Sequence, residues 1–302
     1  MIVNRRSKIG VFEKKDLVNE KGLLVLDFNN QEKNYLEDYL DWEVKGLSPN
    51  GANLALTTIS SHRKSYRTDF VIIERISQRV LLNTHDYYVY DAEFNLKGDK
   101  ILVVADNKKP FCYDLILNKI TAVLPQKIRT YKGDLDLERD VFIAPCEKNN
   151  DTCYLFSFNS GKVDVLNLGT KARISRIKFS VDFAHIFVVT EKNILYCFDR
   201  KFEIKWKIDF GYLGNQGGRI SSSDIFITED GSLLGVCTSS AETNKWGIEY
   251  VVDSADGRIV RQIEGYQFRG RFATDFFDNR VLLHKLKTAD LKTGEISENP
   301  IF

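Results

Sequence analysis

Few side chains in this chain have the types and spacing that catalysis requires. Of its four histidines, His185 and His284 lie inside the apolar runs FAHIFVVT and VLLHKLK, which predict buried strands. No nucleophile-elbow, zinc-protease, phosphate-loop or EF-hand pattern occurs in the sequence. The glycine-rich segment 214–218 precedes no helical pattern, so it predicts a turn rather than a phosphate cradle. We therefore predict no catalytic residue, no metal ligand and no cofactor.

The five cysteines predict thiols rather than a metal site or a disulfide framework. They are odd in number and lack CxxC spacing, and four of them fall in or beside apolar runs. Buried thiols in a reducing cytosol are the expectation. A clip between Cys146 and Cys153 around the loop EKNNDT is the alternative for that pair.

Charge and hydropathy exclude several classes of partner. The 43 basic and 42 acidic residues nearly cancel, which argues against the basic footprint of a nucleic-acid-binding protein. No apolar run approaches the roughly 20 residues of a membrane span, and the first 16 residues lack the apolar stretch of a signal peptide. These features predict a cytoplasmic protein that does not bind membranes.

Short strand-like runs recur along the chain at nearly even intervals. They are LLVLDF (23–28), FVIIER (70–75), FCYDLI (111–116), CYLFSF (153–158), ILYCFD (194–199), WGIEYVVDS (246–254) and TADLKTG (288–294). Their successive starts are 47, 41, 42, 41, 52 and 42 residues apart. A period in the forties with several strands per unit is typical of a β-propeller blade. We predict an all-β chain of seven four-stranded antiparallel blades forming one domain over residues 1–302.

Turn residues support this repeat. Within GLSPNGANLALTT (46–58), Asn50–Gly51 predicts a type I′ turn between the first and second strands, which needs positive φ at both central residues. The same slot recurs at Gly98–Asp99, Asp230–Gly231 and Asp278–Asn279, and in degenerate form at Val181–Asp182–Phe183–Ala184. Ser160–Gly161 and Asp256–Gly257 predict the turn between the third and fourth strands. By this register the segment 30–40 is a fourth strand or an irregular connector.

These motifs resemble a known group of folds. SPNG followed by ANLALTT is similar to the SPDG-type turn of WD40, YVTN and TolB-like propellers, and YVVDSADGRIVRQI and TADLKTGEIS are similar to the last hairpin of quinoprotein-like and YVTN-type blades. The resemblance covers the whole chain and implies the fold. The Gly-His and Trp-Asp signatures of WD40 repeats are absent, so it implies no particular function.

The first unit has the weakest pattern. IGVFEKKD (9–16) and LLVLDF supply its second and third strands and leave MIVNRR for the first. Closure then falls to that segment or to ISENPIF (296–302), because a propeller must hide its sheet edges. Six blades plus a cap is the alternative count.

The repeat register assigns the long loops to one face, here called the loop-rich face. In a propeller, the loops between second and third strands emerge beside those joining consecutive blades. On this chain they are segments 60–69, 83–91, 125–134, 146–152, 211–219, 239–246 and 265–271. They carry the aromatic and basic residues His62, Arg63, Tyr66, Arg67, His85, Tyr87, Tyr88, Arg129, Tyr131, Tyr212, Arg219, Trp246, Tyr266, Phe268, Arg269 and Arg271. The opposite face, here called the short-turn face, has short turns of Asn, Asp, Gly, Lys and Glu.

Tyr, Trp and Arg are enriched at interface hot spots. We therefore predict that these residues bind a protein partner, and the basic loop 60–69 favours an acidic surface on it. The alternative is that some of the aromatics cap the core; Tyr90, just inside a strand, is expected to be core. An adaptor, a scaffold and a toxin-neutralising immunity protein all fit this prediction.

An enzyme is the alternative class. Lactonase-like and sugar-metabolising propellers place their site at the central channel, lined by first strands. The residues expected there are Asp91, Glu93, Asp136, Arg176, Asp224, Arg271 and Asp275. They could hold a metal or a carboxylate substrate, or form a solvated ring of ion pairs, which is the interpretation we favour.

Overall fold

Seven four-stranded antiparallel sheets make up the described part of the chain in a computed structural model. The structure describes residues 2–4, 6–13, 22–58, 69–85, 88–105, 108–124, 133–146, 151–211, 224–237, 249–263, 274–275, 280–282 and 288–297. In every sheet the strands follow chain order from one edge to the other. The seven predicted runs all supply third strands.

The first three sheets cover the amino-terminal half of the chain. Their strands are β1 Ile2–Asn4, β2 Ile9–Phe12, β3 Leu23–Asp27 and β4 Glu32–Leu36; β5 Trp42–Leu47, β6 Asn53–Thr58, β7 Phe70–Glu74 and β8 Val80–Thr84; and β9 Val89–Phe94, β10 Lys100–Ala105, β11 Phe111–Asp114 and β12 Lys119–Val123. A 3₁₀ turn, Glu37–Tyr39, follows β4. Segment 30–40 is thus a fourth strand with a connector, as predicted. The first repeat, whose sequence pattern is the weakest, forms a sheet of four strands.

The remaining sheets repeat the pattern. Their strands are β13 Asp134–Asp136, β14 Val141–Pro145, β15 Thr152–Ser157 and β16 Val163–Asn167; β17 Ile174–Phe179, β18 His185–Thr190, β19 Ile194–Asp199 and β20 Ile204–Asp209; β21 Asp224–Ile227, β22 Leu233–Cys237, β23 Glu249–Asp253 and β24 Ile259–Ile263; and β25 Thr274–Asp275, β26 Arg280–Leu282, β27 Thr288–Asp290 and β28 Ile296–Ser297. Residues 296–297 pair with β27, as the fourth strand of the last sheet.

The chain divides into two compact units. Unit 1 comprises Met1–Tyr131, Arg139–Val141 and Phe156–Asp164, and unit 2 comprises Lys132–Glu138, Phe142–Leu155 and Val165–Phe302. In each unit, apolar side chains of one sheet pack against those of the next. In unit 1, Phe70 and Ile72 of β7 share a core with Phe94 and Ile101 of the following sheet. In unit 2, residues of β18 and β19 share a core with Ile225 and Leu234.

Four of the described turns between first and second strands share one hydrogen-bond pattern, which corrects the predicted type I′ geometry. Positive φ occurs at Gly51 (70°) but not at Asn50, so the turn is type I followed by a left-handed residue. The Gly51 N–H donates to the Ser48 carbonyl at 2.8 Å. The segment 181–184, which was expected to be degenerate, forms the same turn. Phe183 has φ 55° and its N–H donates to the Ser180 carbonyl at 2.9 Å.

A side chain explains why the turn tolerates phenylalanine at that position. The Asp182 carboxylate accepts hydrogen bonds from Ser180 Oγ at 2.6 Å and from the Ala184 N–H at 3.0 Å. Asn50 makes the equivalent bonds with Ser48 and Ala52. The turn is therefore set by the polar residues before the left-handed position, and glycine there lowers strain without being required.

The cysteines are buried thiols wherever the structure describes their side chains. These are Cys112, Cys146, Cys153 and Cys197. The Cys146–Cys153 clip is therefore wrong. Burial raises the pKa of Cys112 to about 11 and that of Cys197 to about 12. Both thiols stay protonated at neutral pH, which makes them poor nucleophiles.

Candidate functional site

Two residues of the predicted partner-binding set, His85 and Tyr88, lie in the described part of the chain. The others lie outside it: His62, Arg63, Tyr66, Arg67, Tyr87, Arg129, Tyr131, Tyr212, Arg219, Trp246, Tyr266, Phe268, Arg269 and Arg271. For these the assignment to the loop-rich face stays a prediction. The described residues His85 and Tyr88 both belong to unit 1 and follow β8.

The His85 imidazole contacts the Asp69 carboxylate where β7 begins and β8 ends. His85 Nδ1 meets Asp69 Oδ1, and the side chains are 64% and 45% exposed. Phe70 and Thr84, the next residues, are paired across the two strands, which brings the two side chains together. The Asp69 N–H donates to Thr58 Oγ1 at 2.9 Å, and the Asp69 carbonyl accepts from the Thr58 N–H at 3.0 Å. Asp69 thus joins the end of β6 to the start of β7.

Tyr88 and Tyr90 form an aromatic pair at the start of β9. Their ring centroids are 5.1 Å apart with an interplanar angle of 83°, an edge-to-face arrangement. Tyr88 is half-buried, whereas Tyr90 is 51% exposed. The expectation that Tyr90 is a core residue is therefore wrong. The Tyr90 ring is exposed to solvent, and the half-buried Tyr88 ring packs against it.

A β-bulge explains the exposure of Tyr90. In the β9–β10 pair, Asp91 is opposite Val104 and Val89 is opposite Ala105, so Tyr90 is the extra residue. A bulge breaks strict alternation and changes the direction of its side chain. The same break occurs in β5 at Lys45, between Val44 and Gly46.

Lys45 lies beside the tyrosine pair. Its Nζ is 5.3 Å from the Tyr88 ring centroid and 2.6 Å from Glu43 Oε2. The Lys45 and Glu43 side chains are only 12% and 22% exposed, so their charges attract more strongly than those of a surface pair. We call Glu43, Lys45, Tyr88 and Tyr90 the tyrosine cluster. Sequence reasoning missed Glu43 and Lys45, because the bulge at Lys45 depends on how β5 pairs with β6.

The residues predicted to line a channel lie on first strands where they are described. Asp91 and Glu93 are on β9, Asp136 on β13, Arg176 on β17, Asp224 on β21 and Asp275 on β25, whereas Arg271 lies outside the described residues. Asp136 is 3% exposed and accepts a hydrogen bond from the Glu138 N–H at 3.0 Å. Among the described residues, no group of three or more His, Cys, Asp or Glu could hold a metal ion.

Within each unit, short turns of consecutive sheets contact one another. In unit 1, Asn50 Nδ2 donates to the Lys97 carbonyl at 2.9 Å and Asn53 Nδ2 donates to the Gly98 carbonyl at 2.8 Å. In unit 2, Lys292 Nζ contacts Asp230 Oδ2 at 2.7 Å. The polar groups of these turns thus make structural contacts between consecutive sheets.

Comparison with solved structures identifies the fold. The β-propeller domain of Cps50 (Swd1) from Myceliophteria thermophila superimposes with a TM-score of 0.60, over 98% of this chain and 93% of that domain, at 11% sequence identity. The predicted all-β propeller fold is thus confirmed, and at this identity the likeness concerns the fold alone.

No protein-family model matches the sequence. No curated protein matches it either. No described helix is long and apolar enough to cross a membrane.

Proposed function

We propose that this chain is a non-catalytic, protein-binding propeller that acts through its loop-rich face, as an adaptor, a scaffold or a toxin-neutralising inhibitor. The tyrosine cluster carries the proposal. Tyr90 offers an exposed ring held in place by Tyr88 and Lys45. A preorganised aromatic gives contact area at low entropic cost on binding.

The charge of the proposed face indicates the kind of partner. The predicted binding residues are aromatic, arginine or histidine, and none is acidic. Lys45 is already neutralised by Glu43, so the tyrosine cluster would give an uncharged anchor and the predicted binding arginines the electrostatic steering. The partner we propose is a protein in the cytoplasm with an acidic rim around an apolar or aromatic contact.

Affinity capture from the native cells tests the proposal. Tyr88→Ala and Tyr90→Ala should each lose a specific protein that the wild type captures, because they remove the anchor. Lys97→Ala is the matched control, since Lys97 is exposed on the short-turn face. Retention of the same proteins by the tyrosine variants, or their loss with Lys97→Ala alone, would refute the assignment to the loop-rich face.

A further inference from the structure

The outer hairpin formed by β11 and β12 carries the densest group of exposed aliphatic side chains in the described residues. Ile116 is 76% exposed, Leu117 57%, Ile120 53% and Val123 57%. All four lie within eight residues of one hairpin in unit 1. Exposed apolar groups at this density mark an interaction site more often than scattered single residues do.

The patch continues onto the preceding sheet. Ile76 (83% exposed) and Val80 (50%) occupy the β7–β8 hairpin at positions equivalent to Ile116 and Ile120. The turn of one outer hairpin lies against the outer strand of the sheet before it: a Cβ on Gly161 would be 3.5 Å from that of Ala122 in β12. If the β11–β12 hairpin follows the same arrangement, we infer that its Ile116–Leu117 turn lies beside β8. We call these six side chains the outer apolar patch.

Charge distinguishes β12 from most of the other outer strands. An edge strand is normally protected by a charged side chain in its interior. Lys33 in β4, Asp164 in β16, Lys205 and Lys207 in β20, and Arg261 in β24 supply one. β8 has none, but Leu81 and Leu82 pack against the adjoining core. In β12 the one charge, Lys119, is at the first position, and Ile120, Thr121 and Val123 are exposed.

We propose that the outer apolar patch binds a second copy of this chain, with the two β11–β12 hairpins antiparallel about a two-fold axis. A two-fold contact is self-complementary, so each exposed aliphatic residue is used twice. In this arrangement Ile116 and Leu117 of one copy come near Val123 of the other. This surface is distinct from the loop-rich face, so the proposal goes beyond the proposed function.

The area available is sufficient for a modest dimer. The exposed fractions of the six side chains amount to between three and four fully exposed aliphatic side chains. At roughly 100 Å² of apolar surface each, two copies contribute about 750 Å². A specific interface buries at least about 1,000 Å², and about two-thirds of that is apolar in homodimers. The patch meets this requirement, with hydrogen bonds between the strand edges in addition.

Light scattering coupled to gel filtration tests the proposal. The apparent mass should rise from 34.7 kDa toward twice that value between about 1 μM and about 100 μM, where a modest interface dissociates. Ile116→Lys and Ile120→Lys should raise the dimer dissociation constant about tenfold or more, because each places a charge in the apolar contact. Ile204→Lys is the matched control: Ile204 is 51% exposed and occupies the same slot of β20.

Two further measurements keep the outcome clear if a variant folds poorly. Thermal melts report whether each variant is folded, and in the wild type alone amide exchange of residues 116–123 should slow as concentration rises. A wild type that stays at 34.7 kDa throughout would overturn the proposal, and the patch would then face a different protein. Equal loss of the dimer in Ile204→Lys, or open-ended association, would also overturn it.

Discussion

At the scale of single residues, the tyrosine cluster depends on a mostly buried ion pair. Lys45 contacts Glu43 at 2.6 Å while lying over the Tyr88 ring. Removing one partner leaves a poorly solvated charge, whereas removing both does not. The pair therefore fixes where Tyr88, and with it Tyr90, is held.

A double-mutant cycle measures this coupling. Lys45→Met and Glu43→Gln should each lower the free energy of unfolding by about 1–3 kcal/mol. The double variant should cost less than the sum of the two, with a coupling energy of about 1–2 kcal/mol. Urea unfolding of the four proteins gives the values, and strict additivity would show that the two charges do not support each other.

Backbone conformation at single positions gives a second residue-scale prediction. Gln78 has φ 55° at the turn position that Gly161, Gly257 and Gly294 occupy in other sheets. Gln78→Gly should raise the free energy of unfolding by about 0.5 kcal/mol, because relief of the left-handed strain exceeds the entropic cost of glycine. Asn118→Gly is the control: Asn118 has φ 52°, and asparagine tolerates that region, so a smaller effect is expected. Calorimetric melts distinguish the two, and a loss of stability in Gln78→Gly would contradict the strain argument.

At the scale of elements, the turns of the short-turn face join consecutive sheets through side chains. Asp140 in unit 1 is 7% exposed, has φ 56°, and accepts hydrogen bonds from the Leu96 N–H at 2.9 Å and Asn95 Nδ2 at 3.3 Å. A buried carboxylate with such partners is structural. Lys100, in the same region, donates to the Phe158 carbonyl at 2.9 Å.

Replacement of Asp140 should be among the more damaging changes at this face. Asp140→Ala leaves the Leu96 N–H without its acceptor and puts alanine in the left-handed region, at a cost of about 2–4 kcal/mol in the free energy of unfolding. Asp140→Asn should cost less than half as much, since its amide oxygen can accept one bond and asparagine tolerates the backbone. Chemical denaturation of both variants checks this. Equal losses would mean that the negative charge itself is what matters.

The turn at Asp230 makes stability depend on pH. A hydrogen bond from Lys292 Nζ, followed by bonds from the Ser232 N–H and the Thr228 and Ser232 hydroxyls, holds the pKa of Asp230 well below its usual value. Because the folded-state pKa is depressed, this stabilisation is complete above the unfolded-state pKa, near 4, and is lost as the pH falls from there through the folded-state value. Asp230→Asn should therefore lose less stability than the wild type between pH 5 and pH 2. Urea midpoints across that range measure it, and parallel curves would rule out Asp230 as a contributor.

The elements also show which features of the fold the sequence predicts and which it does not. Third strands and tight turns are local, so the apolar runs and residues such as Gly51 and Gly257 located them correctly. The bulges at Lys45 and Tyr90 depend on which residue of the neighbouring strand is opposite, and no local pattern contains that information. Tyr90 lies just inside a strand and was therefore predicted to be core, whereas the bulge exposes it.

At the scale of the whole molecule, we propose that structural contacts and binding are assigned to different loops. The polar groups of the short turns make contacts between consecutive sheets, as those of Asn50 and Asp230 do. In unit 1 the Tyr90 ring is exposed, and so is the contact between His85 and Asp69. A rigid support with variable loops at one face is the usual arrangement for recognition. The period of the sequence predicted this division, but the identity of the partner depends on loop side chains that follow no period.

Site-specific photocrosslinking in the native cells tests the central claim most directly. p-Benzoylphenylalanine at position 90, in place of Tyr90, should crosslink to one protein partner, because this position is exposed within the tyrosine cluster. The same group in place of Lys97, on the short-turn face, should leave that partner uncrosslinked. A partner that crosslinks at position 97 and not at position 90 would contradict binding through the loop-rich face.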